Sequence, residues 1–155
     1  MAIGIGTHSS KSLMSLIGII SDTHGFVPDA AKEFFKDCIE IWHAGDIGDL
    51  SVLDSIAEIC PVKAVYGNID GRDVRSRTSP LLVFEFDSLK IMLKHIVGRP
   101  GKYNPESKEQ IETIKPAIVV AGHSHILNIK FDDKMNCLFI NPGAAGNNGL
   151  HKVQT

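Results

Sequence analysis

Seven residues of this chain, Asp22, His24, Asp46, Asn68, His95, His123 and His125, carry side chains that hold metal ions, and each stands where an apolar run stops. Carboxylate, imidazole and carboxamide in this mixture suit Mn, Fe, Zn, Ni or Co ions rather than Ca or Mg alone. Thiolates are absent from the set. Seven donors exceed what one tetrahedral ion takes, whereas two ions sharing a bridging carboxylate would use them all. Taken singly, each residue has a plainer reading: Ser21-Asp22-Thr23 also fits a turn or a helix cap, and a lone histidine is at home in a core. Their shared placement at strand ends, next to glycines, points to a metal site. His8, His43 and His151 lie outside the pattern, His43 expected to pack inside its strand and the other two to face solvent.

The elements that must position these donors follow from hydrophobic patterning. The β-branched run 16–20 reads as a buried strand and ends in Ser21-Asp22-Thr23-His24-Gly25. Pro28 opens an amphipathic helix over 28–37. A strand over 39–44 ends in Gly45-Asp46-Ile47-Gly48-Asp49, a helix follows over 50–59, and a strand over 62–66 ends in Gly67-Asn68-Ile69-Asp70. Three successive strand, turn and helix units therefore bring a carboxylate or carboxamide to one sheet edge. The second half predicts a hairpin, 81–86 and 90–96, turning at Asp87-Ser88, with His95 near its end. A loop over 98–105 and a helix over 106–114, stopped by Pro116, come next. A strand over 117–121 leads into Gly122-His123-Ser124-His125, and a second hairpin, 126–132 and 137–140, precedes a turn at Asn141-Pro142-Gly143. The pattern predicts an α/β (α+β) chain of two mixed sheets packed as a sandwich and flanked by helices.

At 155 residues, 43% apolar and 22% charged, the chain suits one domain with a sizeable core. A formal net charge of −2 argues against broad electrostatic capture of nucleic acid, so an anionic ligand must be held locally. Cys38, Cys60 and Cys137 form no Cys-x-x-Cys pair and are odd in number, which predicts free thiols in a reducing, cytoplasmic compartment. Residues 1–14, rich in Gly, Ser and Thr, read as a flexible leader ahead of a single domain over 15–155. The apolar run after Lys11 is broken by Ser and Gly and lacks a small-residue cleavage site, so it does not read as a signal peptide. No stretch approaches the roughly 20 apolar residues of a membrane helix, and homo-oligomerisation is left open.

The ordered series Asp22-x-His24, Gly45-Asp46-x-x-Asp49, Gly67-Asn68-x-Asp70, His95 and Gly122-His123-x-His125 resembles the calcineurin-like metallophosphoesterase superfamily, in particular its small single-domain prokaryotic phosphodiesterases. The resemblance runs from about residue 16 to 143. It implies a four-layer α-β-β-α sandwich and two divalent transition-metal ions, Mn first, with Ni, Zn, Fe or Co as alternatives. Asp22, His24, Asp46 and His125 would hold one ion, and Asp46, Asn68, His95 and His123 the other, with Asp46 bridging. Asn68 and His123 would also act in catalysis, and Asp49 and Asp70 would orient imidazole or backbone groups from behind. Asp70 equally fits a turn-stabilising role.

The implied reaction is hydrolysis of a small phosphate ester, a phosphodiester or an activated monoester. Two dications against two carboxylates leave the filled site cationic, and a bridging water, its pKa falling toward about 7, attacks phosphorus as hydroxide. Arg99 and Tyr103, in the loop after His95, are the candidate substrate contacts. Three features depart from the family pattern. Ile69 stands where many members carry a proton-donating His, which bears on substrate range. His95-Ile96-Val97 replaces a frequent His-Gly-His, which bears on the loop's shape. Small members also continue with another strand or two past Asn141-Pro142-Gly143, where this chain reaches Thr155, which bears on the completeness of one sheet. The alternative is a protein-binding module like the retromer scaffold subunit, which resembles this fold with a degraded metal site.

Overall fold

Alternation and β-branching turn most of the apolar runs into strands. The computed structural model describes residues 15–146 and the strand Ile3–Ile5. In chain order the elements are β1 (Ile3–Ile5), β2 (Leu16–Ile20), α1 (Asp29–Phe35), β3 (Cys38–His43), α2 (Leu50–Ala57), β4 (Val62–Ala64) and α3 (Arg72–Arg77). There follow β5 (Leu81–Phe86), β6 (Leu89–Lys94), β7 (Gly98–Arg99), β8 (Lys102–Tyr103), α4 (Pro105–Ile114), β9 (Ile118–Val120), β10 (Leu127–Asp132) and β11 (Cys137–Pro142).

One sheet has the order β1-β2-β3-β4, with β2, β3 and β4 parallel and β1 antiparallel at the edge. The other has the order β10-β11-β9-β6-β5, a parallel centre with antiparallel edges. Ile17, Ile19, Trp42 and Val65 of the first sheet's side meet Ile91, Leu93, Val120 and Ile140 of the second in one buried core. Trp42 anchors it edge-on to Phe84 and Phe86, at centroid distances of 5.1 and 5.7 Å. Phe35, Val52, Leu53, Ile56 and Val74 of the first three helices cover the outer face of the first sheet. Ile111 of α4 covers Met92, Val119 and Phe139 on the second. The result is the expected helix, sheet, sheet, helix layering.

Local choices explain several of these elements. Gly18 sits in mid-strand because a Cβ there would lie 2.5 Å from the Phe35 ring, so only glycine lets α1 press onto β2. Asp87 and Ser88 both take positive φ, as the two-residue turn between β5 and β6 requires. Asn104 caps α4 by accepting from Ser107 N at 2.8 Å, Pro105 begins the helix, and Lys115 in the left-handed region ends it ahead of Pro116.

Three expectations are revised. Ile3–Ile5, inside the expected leader, pairs antiparallel with Ile17–Ile19: an Ile-Gly-Ile alternation meets the open edge of β2. The loop 98–105 contains a short two-stranded ribbon, with Arg99 paired to Lys102. Asn141 and Pro142 belong to β11 rather than to a turn, because β11 is held by β10 on one side and Pro142 lies beyond its pairing with β9. Helix α3 was not legible in the polar run Arg72–Arg77, which buries only Val74. Leu127, Ile129 and Phe131 share the inward face with Ile140 and Leu138 yet are 44–50% exposed at the sheet's edge. His8 and His151 lie outside the described residues. Among the described residues no helix is long and apolar enough to cross a membrane, and Cys38, Cys60 and Cys137 are free thiols.

Candidate metal centre

Five strand ends, from both sheets, converge on one point. Asp22 and His24 follow β2, Asp46 follows β3, Asn68 follows β4, His95 follows β6, and His123 and His125 follow β9. Ligand atoms of Asp22, His24, Asp46 and His125 lie within 4.8 Å of one another, and so do those of Asp46, His95 and His123, so Asp46 is common to both groups. Asn68 Oδ1 lies 3.0 Å from His123 Nδ1, beside the second group.

The backbone bends sharply to achieve this. Asp22, His24, Asp46, His123 and His125 all take positive φ, between 48° and 68°. Such conformations cost roughly 1–3 kcal/mol each and persist where the surroundings over-determine them. Here the surroundings are a lattice of bonds between the turns. Asp22 N donates to Gly45 O at 3.0 Å, His24 N to Asp46 O at 3.0 Å, and Gly25 N to Ile47 O at 2.7 Å. The Asp70 carboxylate, buried, accepts from Ile47 N at 3.1 Å, Gly48 N at 2.7 Å and Gly67 N at 2.7 Å. Asp70 thus ties the Asp46 turn to the Asn68 turn through backbone groups, and among the described residues no imidazole is hydrogen-bonded to it.

The donors are held in defined states. Asp22 accepts from Ser21 Oγ at 2.6 Å and from His123 N at 3.1 Å, and Asp46 Oδ1 accepts from Ile69 N at 3.1 Å. His95 Nδ1 lies 2.7 Å from Ala44 O; a carbonyl only accepts, so this nitrogen carries the hydrogen and turns Nε2 into the site. His95 Nε2 is then 3.2 Å from Asp46 Oδ1 without the alignment of a hydrogen bond, and it is a buried atom with no hydrogen-bond partner. His125 Nε2 lies 3.2 Å from Asp22 Oδ1 and 3.4 Å from His24 Nε2. Asp22 and Asp46 are almost fully buried, and among the described residues neither has a Lys or Arg within 4.0 Å. Two buried carboxylates without a fixed cation, facing an imidazole nitrogen without a partner, form a set that divalent cations satisfy.

Other expected residues fall elsewhere. Asp49, expected to orient groups of the site, caps α2 by accepting from Ser51 N at 2.8 Å; it is exposed, and hydrogen bonding from the Ser51 side chain, then from its backbone, holds its carboxyl below the usual range. Tyr103, expected at the substrate, donates its hydroxyl to Asp132 at 2.9 Å and packs on Phe139, so it braces the ribbon instead. Burial raises its pKa, and the hydrogen bond to Asp132 adds to the rise. Arg99 is exposed and borders a cavity that opens onto His123.

Supporting residues that spacing did not reveal include Ser21, Asn141 and Arg75. Asn141 donates to Gly122 O at 2.7 Å, steadying the His123 turn. Arg75, on the unforeseen α3, donates to Asp70 O at 2.6 Å and Gly67 O at 3.3 Å, clasping both ends of the Asn68 turn. The only available signal was a polar side chain near a ligand motif, and that is too common to decide anything.

His43 is buried as expected, its Nε2 3.0 Å from Thr23 Oγ1 and its Nδ1 accepting from Gly45 N at 3.2 Å. Burial lowers its pKa to about 3, with Asp70 opposing. The unfolded chain, with an ordinary His pKa of about 6.5, takes up a proton there that the folded chain refuses. Stability is therefore fully present above about pH 6.5 and falls as pH drops from there toward 3, by up to about 1.4 kcal/mol per unit. Between pH 6.5 and 5, His43→Gln should lose about 2 kcal/mol less than the wild type in urea unfolding of the metal-free chain. Identical pH dependence in both would remove His43 as the cause.

Comparison with known proteins agrees with this geometry. The profile of the calcineurin-like phosphoesterase superfamily domain matches residues 15–155. A probable metallophosphoesterase of Methanothermobacter thermautotrophicus is 30% identical over 134 residues, 83% of this chain and 76% of that protein. The solved structure of an archaeal phosphodiesterase superposes with a TM-score of 0.66 at 28% identity, covering 83% of each chain. Vps29 of Chaetomium thermophilum shares the fold, with a TM-score of 0.71 over 91% of this chain and 78% of that one, at 18% identity. The match over nearly the whole described chain, together with that identity to a curated relative, shows that the chain belongs to the calcineurin-like phosphoesterase superfamily.

Proposed function

We propose that this chain is a phosphodiesterase working with two divalent transition-metal ions. The observation that carries the reading is the pair of buried carboxylates, Asp22 and Asp46, faced by the unpartnered Nε2 of His95 and lacking any Lys or Arg counter-charge among the described residues. Asp22, His24, Asp46 and His125 would hold one ion and Asp46, Asn68, His95 and His123 the other, Asp46 serving both. When bound, the ions supply Lewis acidity: they acidify water toward a pKa of about 7 and neutralise phosphoryl oxygens.

The residues around them do the rest. Asn68 and His123 are the exposed members of the set, so they form the face that a phosphoryl group meets. The Asn68 carboxamide NH2 is a donor for a phosphoryl oxygen, and Asp70 with Arg75 keeps its turn from moving. A relative from Methanocaldococcus jannaschii, 29% identical over 143 residues, is named a phosphodiesterase, which supports this reading. We place the enzyme in the cytoplasm on the strength of its free cysteines.

The test is metal analysis of the purified chain joined to a screen of phosphomonoesters and phosphodiesters with Mn, Ni or Zn added. About two ions per chain and turnover of aryl diesters, strongest with Mn, is the expected result. One observation favours the second reading, a protein-binding module: the half-exposed apolar row Leu127, Ile129 and Phe131. A chain that binds no metal and cleaves no ester would decide for it.

Ile69 bears on which esters are cleaved. It is 47% exposed beside Asn68, its N–H is engaged by Asp46, and its side chain has no proton to give. General acid assistance is worth roughly 10²–10⁴-fold, most for poor leaving groups. The rate should therefore fall steeply as leaving-group pKa rises. Ile69→His should flatten that slope, raising kcat/KM on alkyl diesters by about 10–100-fold. A wild-type slope already shallow and unchanged in the variant would show that the proton comes from elsewhere.

A further inference from the structure

The ribbon after His95 breaks a rule of strand pairing. Arg99 and Lys102 are direct cross-strand partners in β7 and β8, so two cations stand side by side on one face. Like charges in that position are destabilising. Lys130 of β10, in register with Phe139 of β11, adds a third cation that lines a neighbouring concavity together with them. Among the described residues none of the three has an acidic partner within 4.0 Å, although other cations do: Lys63 with Glu40, Arg77 with Asp54, Lys94 with Glu106. In a chain of net charge −2, a cross-strand pair of cations, Arg99 and Lys102, with no acidic partner within 4.0 Å among the described residues is a local choice, and departures of this kind concentrate at functional sites.

Two of these cations, Arg99 and Lys102, border a concavity that reaches the metal centre. A cavity of ≈ 320 Å³ has Arg99 and Lys102 on one wall, Val97, Ile126 and Phe139 as an apolar lining, and His123 at the end shared with the metal centre. Such a size accommodates a small molecule. The ribbon is rigid: Gly98 leaves no room for a Cβ, which would lie 2.5 Å from Lys102 O, Asn104 N donates to Val97 O at 3.1 Å, and Tyr103 is tied to Asp132. The cations are therefore presented by a braced support rather than a loose loop. A second cavity, on the Asn68 side, differs in that its Lys94 is paired with Glu106 and its Arg75 is stacked on Tyr66 and bonded to carbonyls.

We infer that the cavity between Arg99, Lys102 and His123 receives a second phosphate carried by one alcohol arm of the substrate, so that the enzyme prefers phosphodiesters bearing a distal phosphate. This rests on the phosphodiesterase reading. The two cations on the cavity wall, Arg99 and Lys102, match a phosphate dianion better than a single carboxylate, and Arg99 can engage it with a two-pronged guanidinium. The apolar lining would cover the carbon skeleton that joins the two phosphates, with Asn128 beside it as a neutral polar contact.

Two matched probes test this: the p-nitrophenyl ester of thymidine 5′-phosphate with a 3′-hydroxyl, and the same ester with a 3′-phosphate. Hydrolysis adds the water oxygen to phosphorus and releases p-nitrophenolate from each. With the Mn-loaded chain, kcat/KM should be about tenfold or more higher for the 3′-phosphate, chiefly through KM. In the double variant Arg99→Gln with Lys102→Gln this preference should shrink toward unity. Calorimetry should likewise show thymidine 3′,5′-bisphosphate binding about tenfold more tightly than thymidine 5′-phosphate, again only with both cations present. Equal kcat/KM for the two esters together with equal binding of the two nucleotides overturns the inference, as does a preference that survives the double variant. If neither ester is cleaved but the binding preference is present and lost in the variant, the cavity stands and the phosphodiesterase reading falls.

Discussion

Asp46→Asn should empty both halves of the site together, taking the metal content from about two ions per chain to near zero and lowering turnover by on the order of 10³-fold or more. Among the described residues Asp46 is the one that belongs to both ligand groups, so no other substitution of a single ligand should remove two ions at once. The replacement is nearly isosteric, and Asn can still accept the Ile69 N–H that Asp46 accepts now. It also removes a buried carboxylate that, among the described residues, lacks a Lys or Arg partner. In the metal-free chain the variant should therefore be no less stable than the wild type. That separates loss of ions from loss of fold: metal content falls while the metal-free unfolding midpoint does not. His24→Ala, a substitution in one group only, should leave about one ion per chain. Metal content near two with normal turnover in Asp46→Asn would refute the shared-carboxylate assignment.

Gly67→Ala should be nearly as damaging by a different route. A Cβ at Gly67 would lie 2.0 Å from Asp46 Oδ1, 2.5 Å from Asp46 N and 2.7 Å from His95 Cδ2. The carboxylate could rotate away, but the backbone nitrogen cannot. The turns holding Asp46 and Asn68 must separate, and Asp70 then loses its simultaneous grip on Gly67 N and Gly48 N. Overpacking of this kind typically costs about 1–3 kcal/mol and can cost more. Urea unfolding of the metal-free chain should show that loss, and metal titration should show weakened binding of both ions. Gly71→Ala is the control, since nothing lies within 4 Å of its added Cβ. It should cost less than about 1 kcal/mol, the scale of a capping difference at the start of α3. A Gly67→Ala chain as stable as the Gly71→Ala chain would mean that the turns yield more easily than their hydrogen bonds suggest.

Much of the molecule was legible because its signals are local. A strand end is marked by the switch from an apolar run to glycine and a polar residue, so the donor residues and the strands that carry them could be read within ten residues of each other. The layering of helices on two sheets followed from the same runs, since each apolar face must be covered. Legibility failed where the deciding contact lies far along the chain, and also where a polar side chain had several local partners open to it. Tyr103 looked available to a ligand until Asp132, 29 residues on, took its hydroxyl. Asp49 resembled a support of the site, but its carboxylate found Ser51 two residues away. Helix α3 offered no hydrophobic stripe, only Val74, and its Arg75 matters through two carbonyls of the Asn68 turn.

The sequence by itself determined which donors are present, their order, and that each leaves a strand at a glycine-bearing turn, because hydrophobic period and turn chemistry act over a few residues. Only the tertiary structure decided which donors share a space, which imidazole nitrogen faces inward, and which cations are left without counter-charge. His95 turns Nε2 into the site because Ala44, 51 residues earlier, takes its Nδ1 hydrogen. Asp22 meets the His123 backbone across 101 residues. Five donors hold a left-handed backbone that no residue type other than glycine favours, and they hold it because turns from both sheets bond to one another. Such choices are made by groups that become neighbours only when the two sheets close, and their energies do not exist in any short stretch of chain.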